Sequence, residues 1–178
     1  SMTSPEIRPK RYRDLPEEIE IDKESKTIFY GGCAPYFDIF FGKHSDLKTN
    51  QIIYDSLRLL NFFDVKPRLL EDEKCCGHDL LWAGDRKNFL RLAKLNVDKL
   101  HELGIERLIT SCPECYMTFK TTYPQEGVQV NFHVVHMHEF LEEKIESGAV
   151  VFEELDKQVT FQDSCRLTRL EDKAELPR

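Results

Sequence analysis

Five of the six cysteines in this 178-residue chain follow one order: Cys33, the adjacent pair Cys75-Cys76 followed by Gly77, then Cys112-Pro113-Glu114-Cys115. Grouped thiolates are soft ligands that select zinc and iron-sulfur centres alike, and without a metal they do redox work. A disulfide framework fits poorly. The stretch from Met2 to Leu15 is polar and basic, with no apolar leader core, and neighbours such as Cys75 and Cys76 seldom bridge each other without strain. The chain is also long enough to bury a core without staples. A reducing, cytoplasmic compartment is expected, where Cys-x-x-Cys more often binds metal or exchanges electrons.

Histidine adds one candidate. His78 directly follows Gly77, where it could donate to a metal-bound sulfur or protonate a leaving thiolate, although capping or packing is the plainer role. His133, His136 and His138 sit near a strand-to-helix junction and read as structural; His44 and His101 read as surface positions. Nothing resembles a Gly-x-Gly-x-x-Gly, a P-loop or a Ser-His-Asp set, and copper, calcium and haem have no pattern.

The elements that must position these thiols alternate. Lys26 to Tyr30 is a short β-branched and aromatic run stopped by Gly31-Gly32, a strand entering a turn at Cys33. Asp46 to Phe63 repeats apolar residues at helical spacing. A second strand is expected over Lys66 to Leu70, delivering the chain to Cys75. Arg86 to Leu103 is the clearest helix, with Gly104 as its stop. Ile105 to Thr110 reads as a strand running into Cys112, and Pro113 is placed to open the next helix, where free backbone N–H groups favour a thiolate. Val128 to Val135 reads as a further strand, followed by a helix from His138 to Ser147. This alternation predicts an α/β fold: a Rossmann-like parallel sheet with helices on both faces. Ligand sites in such sheets lie beyond the carboxyl ends of the strands, and Cys33, Cys75-Cys76 and Cys112 all follow predicted strands.

A weak repeat extends the pattern. Thr27-Ile-Phe-Tyr-Gly-Gly-Cys33 and Val159-Thr-Phe-Gln-Asp-Ser-Cys165 each read as a strand ending in a turn at cysteine. Three segments follow: a tail or linker over 1–25, a first cysteine unit over 26–157, and the truncated start of a second over 158–178.

The pattern Cys33-x41-Cys75-Cys76-Gly77-x34-Cys112-x-x-Cys115 resembles the CCG cysteine-rich domain. That domain is found in two of the subunits of heterodisulfide reductase, B and D, and in related subunits of glycerol-3-phosphate dehydrogenase, lactate-utilisation and archaeal succinate dehydrogenase complexes. The likeness covers residues 26 to 178, with Gln162-Asp163-Ser164-Cys165 similar to the start of the family's usual second copy. It implies that Cys33, Cys75, Cys76, Cys112 and Cys115 hold a non-cubane [4Fe-4S] cluster, and that Cys165 is the first ligand of a second site. An ordinary cubane needs four cysteines, so a fifth is consistent with a more open cluster or a spare thiol. The implied chemistry is reductive cleavage of a disulfide, or electron transfer toward a quinone-linked acceptor. The implied partners are redox subunits carrying flavin or ferredoxin-type clusters, with the chain cytoplasmic or held peripherally at a membrane through one of them.

Zinc remains the alternative, as a closed structural site in an assembly module of a multi-subunit dehydrogenase complex. Net charge of −7 argues against nucleic acid as a partner, and no apolar run approaches the roughly 20 residues that span a bilayer. The basic stretch Arg8 to Arg13 reads as a solvated tail. Phe37, Phe40 and Phe41 are expected to pack, with walling of the site or an interface as the alternatives; Trp82 is placed on a helix past Cys76 as a shield, and Glu71-Asp72-Glu73 reads as a solvated loop.

Overall fold

A computed structural model of the chain describes residues 12, 15–41, 48–151, 153 and 156–175. Its centre is a parallel sheet of three short strands, β1 (Thr27–Phe29), β2 (Arg107–Thr110) and β3 (His133–His136), in the order β1-β2-β3. The register places Ile28 opposite Leu108 and Val134 opposite Leu108 on the other side. Side chains alternate across a strand, so this register makes two apolar faces. Ile28, Leu108 and Val134 point to one core, Phe29, Ile109 and Val135 to the other.

Helices cover both faces. On the second face lie α2 (Thr49–Phe62), burying Ile53, Leu57 and Leu60, and the helix after β3 (Met137–Glu146), burying Met137 and Phe140. On the first lies the helix Arg86–Glu102, which turns Phe89, Leu92, Ala93, Asn96, Val97 and Leu100 inward at three- and four-residue spacing. Asp85 caps its start by accepting the Asn88 N–H at 3.2 Å. Each fully buried large apolar side chain here contributes about 1.5–3 kcal/mol. Between them run α1 (Ala34–Phe41), α3 (His78–Trp82), and a continuous helical path made of α5 (Pro113–Met117), a π-type turn (Thr118–Thr122) and α6 (Tyr123–Gln125). In chain order the Arg86–Glu102 helix is α4 and the Met137–Glu146 helix is α7.

The α/β architecture with helices on both faces is as the sequence predicts, and four local expectations change. The strand over 66–70 shrinks to one parallel bridge, Arg68 to Ile28. Arg68 donates to Thr27 O and accepts from Phe29 N, but neighbouring Pro67 has no N–H to extend the ladder. The strand expected from Val128 begins only at His133. Its neighbour β2 begins at Arg107, the partner of His133, and Val128 N–H instead closes the helix on Tyr123 O. Residues 156–164 form no strand, because no described strand lies beside them, and Val159 is exposed. Cys165 instead precedes a π-type turn (Arg166–Leu170) whose Leu167 is buried in the first core. Finally, Phe37, Phe40 and Phe41 stay on the surface, Phe40 at 58 % exposure, because α1 turns Pro35 and Tyr36 inward instead.

Candidate metal centre

Three loops reach one edge of the sheet, two from the carboxyl ends of β1 and β2 and one beyond the bridge at Arg68. The first leaves β1. The last ladder bond runs from Tyr30 N to Ile109 O, and beyond it Gly31 and Gly32 have N–H groups but no strand to pair with. The Glu73 carboxylate supplies the acceptors, at 3.2 Å from Gly31 N and 2.8 Å from Gly32 N. Gly32 has φ +66, and a Cβ there would lie 2.8 Å from Cys115 Sγ. Only glycine allows both that conformation and that approach. Cys33 follows at once, opening α1.

The second loop carries Cys75 and Cys76, and its backbone is gripped from behind. Tyr30 OH donates to Lys74 O at 2.5 Å, Asn96 Nδ2 to Cys75 O at 2.9 Å, and Tyr123 OH to Cys76 O at 2.7 Å. Asn96 also donates to Tyr123 OH at 3.1 Å, so α4 and α6 clamp the pair through one buried network. Gly77 takes φ +84 and turns its N–H back toward Cys75 Sγ at 3.3 Å, and a Cβ on it would press on Leu92 and Phe89 at 3.2 and 3.3 Å.

The third loop leaves β2 at Thr110, whose Oγ1 accepts the Cys112 N–H at 3.1 Å. Cys112 caps α5: its sulfur accepts from Cys115 N at 3.5 Å, with Pro113 in the first turn as predicted. The Cys112 thiol also reaches the Glu114 carboxylate at 3.4 Å.

Cys75, Cys76 and Cys115 are buried, while Cys33 and Cys112 are partly exposed. The sulfurs act on one another. Hydrogen bonds from the Cys115 and Cys75 thiols hold the Cys76 thiol well below its ordinary range. The same contacts push Cys75 up, through the hydrogen bond to Cys76 and then burial, and Cys115 up, through hydrogen bonds to Cys112 and Cys76. Burial and then the charges of Cys112 and Cys76 push the Cys33 thiol up to about 12. All five thiols thus lie within electrostatic reach at the carboxyl edge. Cys165 is exposed.

The remaining candidates divide. His78 places its ring between Asp79, at 3.0 Å from Nδ1, and Arg166, at 3.3 Å from Nε2; toward Cys76 it offers its backbone N–H. Trp82 ends α3 at 62 % exposure with the Arg166 guanidinium 4.1 Å above its ring, so it faces solvent and the Arg166 segment. His136 is buried, His138 half-buried, His133 and His101 exposed; His44 lies outside the described residues, as does Arg8–Arg13 apart from Tyr12. The acidic loop is corrected at one position: Glu71 and Asp72 face solvent, but Glu73 is 5 % exposed, because the orphaned N–H groups after β1 need it. Of the residues that sequence reading missed, Asn96 left a signal, an amide inside an otherwise apolar helix stripe. Tyr123 and Glu73 left none.

Residues 29–120, more than half of the chain, match the CCG family, described as a cysteine-rich domain. The chain belongs to the CCG cysteine-rich domain family. Its signature Cys-Cys-Gly is Cys75-Cys76-Gly77, the segment clamped by Asn96 and Tyr123. A subunit of the dihydromethanophenazine:CoB–CoM heterodisulfide reductase of Methanosarcina acetivorans is 29 % identical over 170 residues, covering 92 % of this chain and 39 % of that protein. The EtfAB:quinone oxidoreductase of Syntrophomonas wolfei is 30 % identical over 166 residues, 92 % of this chain and 21 % of the relative. An uncharacterized iron-sulfur protein of Methanococcus maripaludis is 25 % identical over 153 residues, 86 % of this chain and 28 % of the relative. This CCG chain therefore spans about two-fifths or less of the length of these curated relatives. No solved structure matches it.

Proposed function

We propose that this chain is an iron-sulfur redox domain of a heterodisulfide reductase-like oxidoreductase, working in electron transfer or disulfide reduction. The observation that carries the reading is the gathering of five thiols, from three loops, at one sheet edge. The donor set fits an iron-sulfur group: all sulfur, one more thiol than a cubane needs, and deprotonated on binding. Cys33, Cys75, Cys76, Cys112 and Cys115 would hold it, and a [4Fe-4S] cluster, non-cubane in this reading, would supply one electron at a time.

The protein's own groups then have separable tasks. Tyr30, Asn96 and Tyr123 hold the Cys75-Cys76 backbone and, with Phe89 and Leu92, close the rear of the site to water. The partly exposed Cys33 and Cys112 leave the opposite side open, where a disulfide, a quinone-linked acceptor or a flavin- or cluster-bearing subunit would approach. No helix among the described residues is long and apolar enough to cross a membrane.

A structural zinc site is the competing reading. Zinc at about 2.3 Å from each of four sulfurs needs a tight tetrahedron. Among the described residues, no group of three or more histidine, cysteine, aspartate or glutamate side chains makes a ready site for a single ion. Cys76→Ala separates the two readings: a cluster domain stays folded by circular dichroism and loses its visible absorption, whereas a structural zinc domain unfolds with loss of its ligand.

A further inference from the structure

The sequence presents Glu71-Asp72-Glu73 as three equivalent surface acids, and the fold separates the last from the others. Glu73 is 5 % exposed and lies two residues before Cys75, yet its carboxylate bonds across 41 and 42 positions of chain to the Gly32 and Gly31 N–H groups. It also accepts from Tyr12 OH at 3.2 Å. In all three of these bonds the carboxylate accepts. We propose that Glu73 is a positioning residue for the metal centre, fixing the loop that carries Cys33 against the loops that carry Cys75-Cys76 and Cys112.

The reason lies in what that loop demands. Tyr30 makes the final ladder bond, so the next two N–H groups are buried donors at the end of a strand, and such donors require an acceptor. The carboxylate takes both. The same two residues must come very close to the third loop, since a Cβ on Gly32 would sit 2.8 Å from Cys115 Sγ and 4.0 Å from Cys112 Cβ. Glu73 is itself anchored, its N–H on Leu70 O at 3.2 Å and neighbouring Lys74 O held by Tyr30. One carboxylate thus sets the distance between the first cysteine and the other four. An amide in its place keeps one oxygen but presents NH2 where the second N–H needs an acceptor.

This inference rests on the metal-centre reading above, and its test separates the two. Hydrogen exchange is measured on the metal-free chain, comparing wild type, Glu73→Gln, Glu73→Ala and the surface control Glu71→Gln. The Gly31 and Gly32 amides are expected to exchange at least tenfold faster in both Glu73 variants, with Leu108 and Ile109 amides and the Glu71→Gln control unchanged. In the loaded chain, chelator competition is expected to show metal held roughly 10- to 100-fold more weakly in Glu73→Gln, the usual cost of losing a group that orients a ligand. Unchanged glycine exchange, or unchanged metal retention, in Glu73→Gln overturns the proposal. Finding zinc rather than iron in the wild type would overturn the redox reading and leave this result standing.

Discussion

Gly77 shows most directly why the chain needs particular residues where it has them. Its φ of +84 lies in the region that costs an L-residue roughly 1–2 kcal/mol, and its missing Cβ is what lets α3 lie against Leu92 and Phe89. Gly77→Ala is expected to lower unfolding stability by about 2 kcal/mol or more and to shift the Cys75 sulfur from its N–H, read by urea denaturation with thiol-alkylation rates; unaltered stability would refute the assignment. A one-letter pattern, Cys-Cys-Gly, thus records a backbone conformation as well as two ligands. Glu73 is the converse case. Its letter says acid and its neighbours say surface, because the N–H groups that bury it are supplied by a distant turn.

At the scale of elements, the helices α2 and α4 were legible because their apolar spacing persists over several turns, and two of the thiol loops because each follows a strand. The strands at 66–70 and 128–132 were over-read for one physical cause: a β-branched run becomes a strand only if a neighbour offers backbone to pair with, and here Pro67 and the late start of β2 withhold it. The junction of β3 and α7 carries a pH dependence. His136 Nδ1 accepts the His138 N–H at 3.3 Å, while the His136 N–H donates to Glu139 at 3.0 Å, capping α7. Burial, and then the neighbouring His138, push the His136 imidazole down from 6.5 to about 4. The folded state therefore keeps it neutral while the unfolded chain takes up a proton near 6.5. Stability is whole above that pH, falls as pH drops from about 6.5 to about 4, and the loss is complete below, at about 3 kcal/mol. In denaturation curves across that window, His136→Asn, which caps without titrating, is expected to flatten the slope; an unchanged slope would reject the account.

Over the whole molecule, the sheet is small and its work is convergence. The two strands and the one bridged segment that lead to the cysteines run parallel, so their carboxyl ends meet at one edge, and cysteines more than thirty-five residues apart in sequence become neighbours. That convergence could be read from strand order and cysteine position alone. The rear clamp of Asn96, Tyr123 and Tyr30 could not, because its partners are backbone carbonyls that no residue type announces. The central claim is that the five gathered thiols hold iron and sulfide. Iron, acid-labile sulfide and zinc are to be measured on anaerobically prepared full chain, with its visible absorption spectrum. Iron and sulfide in equal amounts, with broad absorption that disappears in Cys76→Ala, is the expected result; a colourless protein carrying one zinc contradicts it.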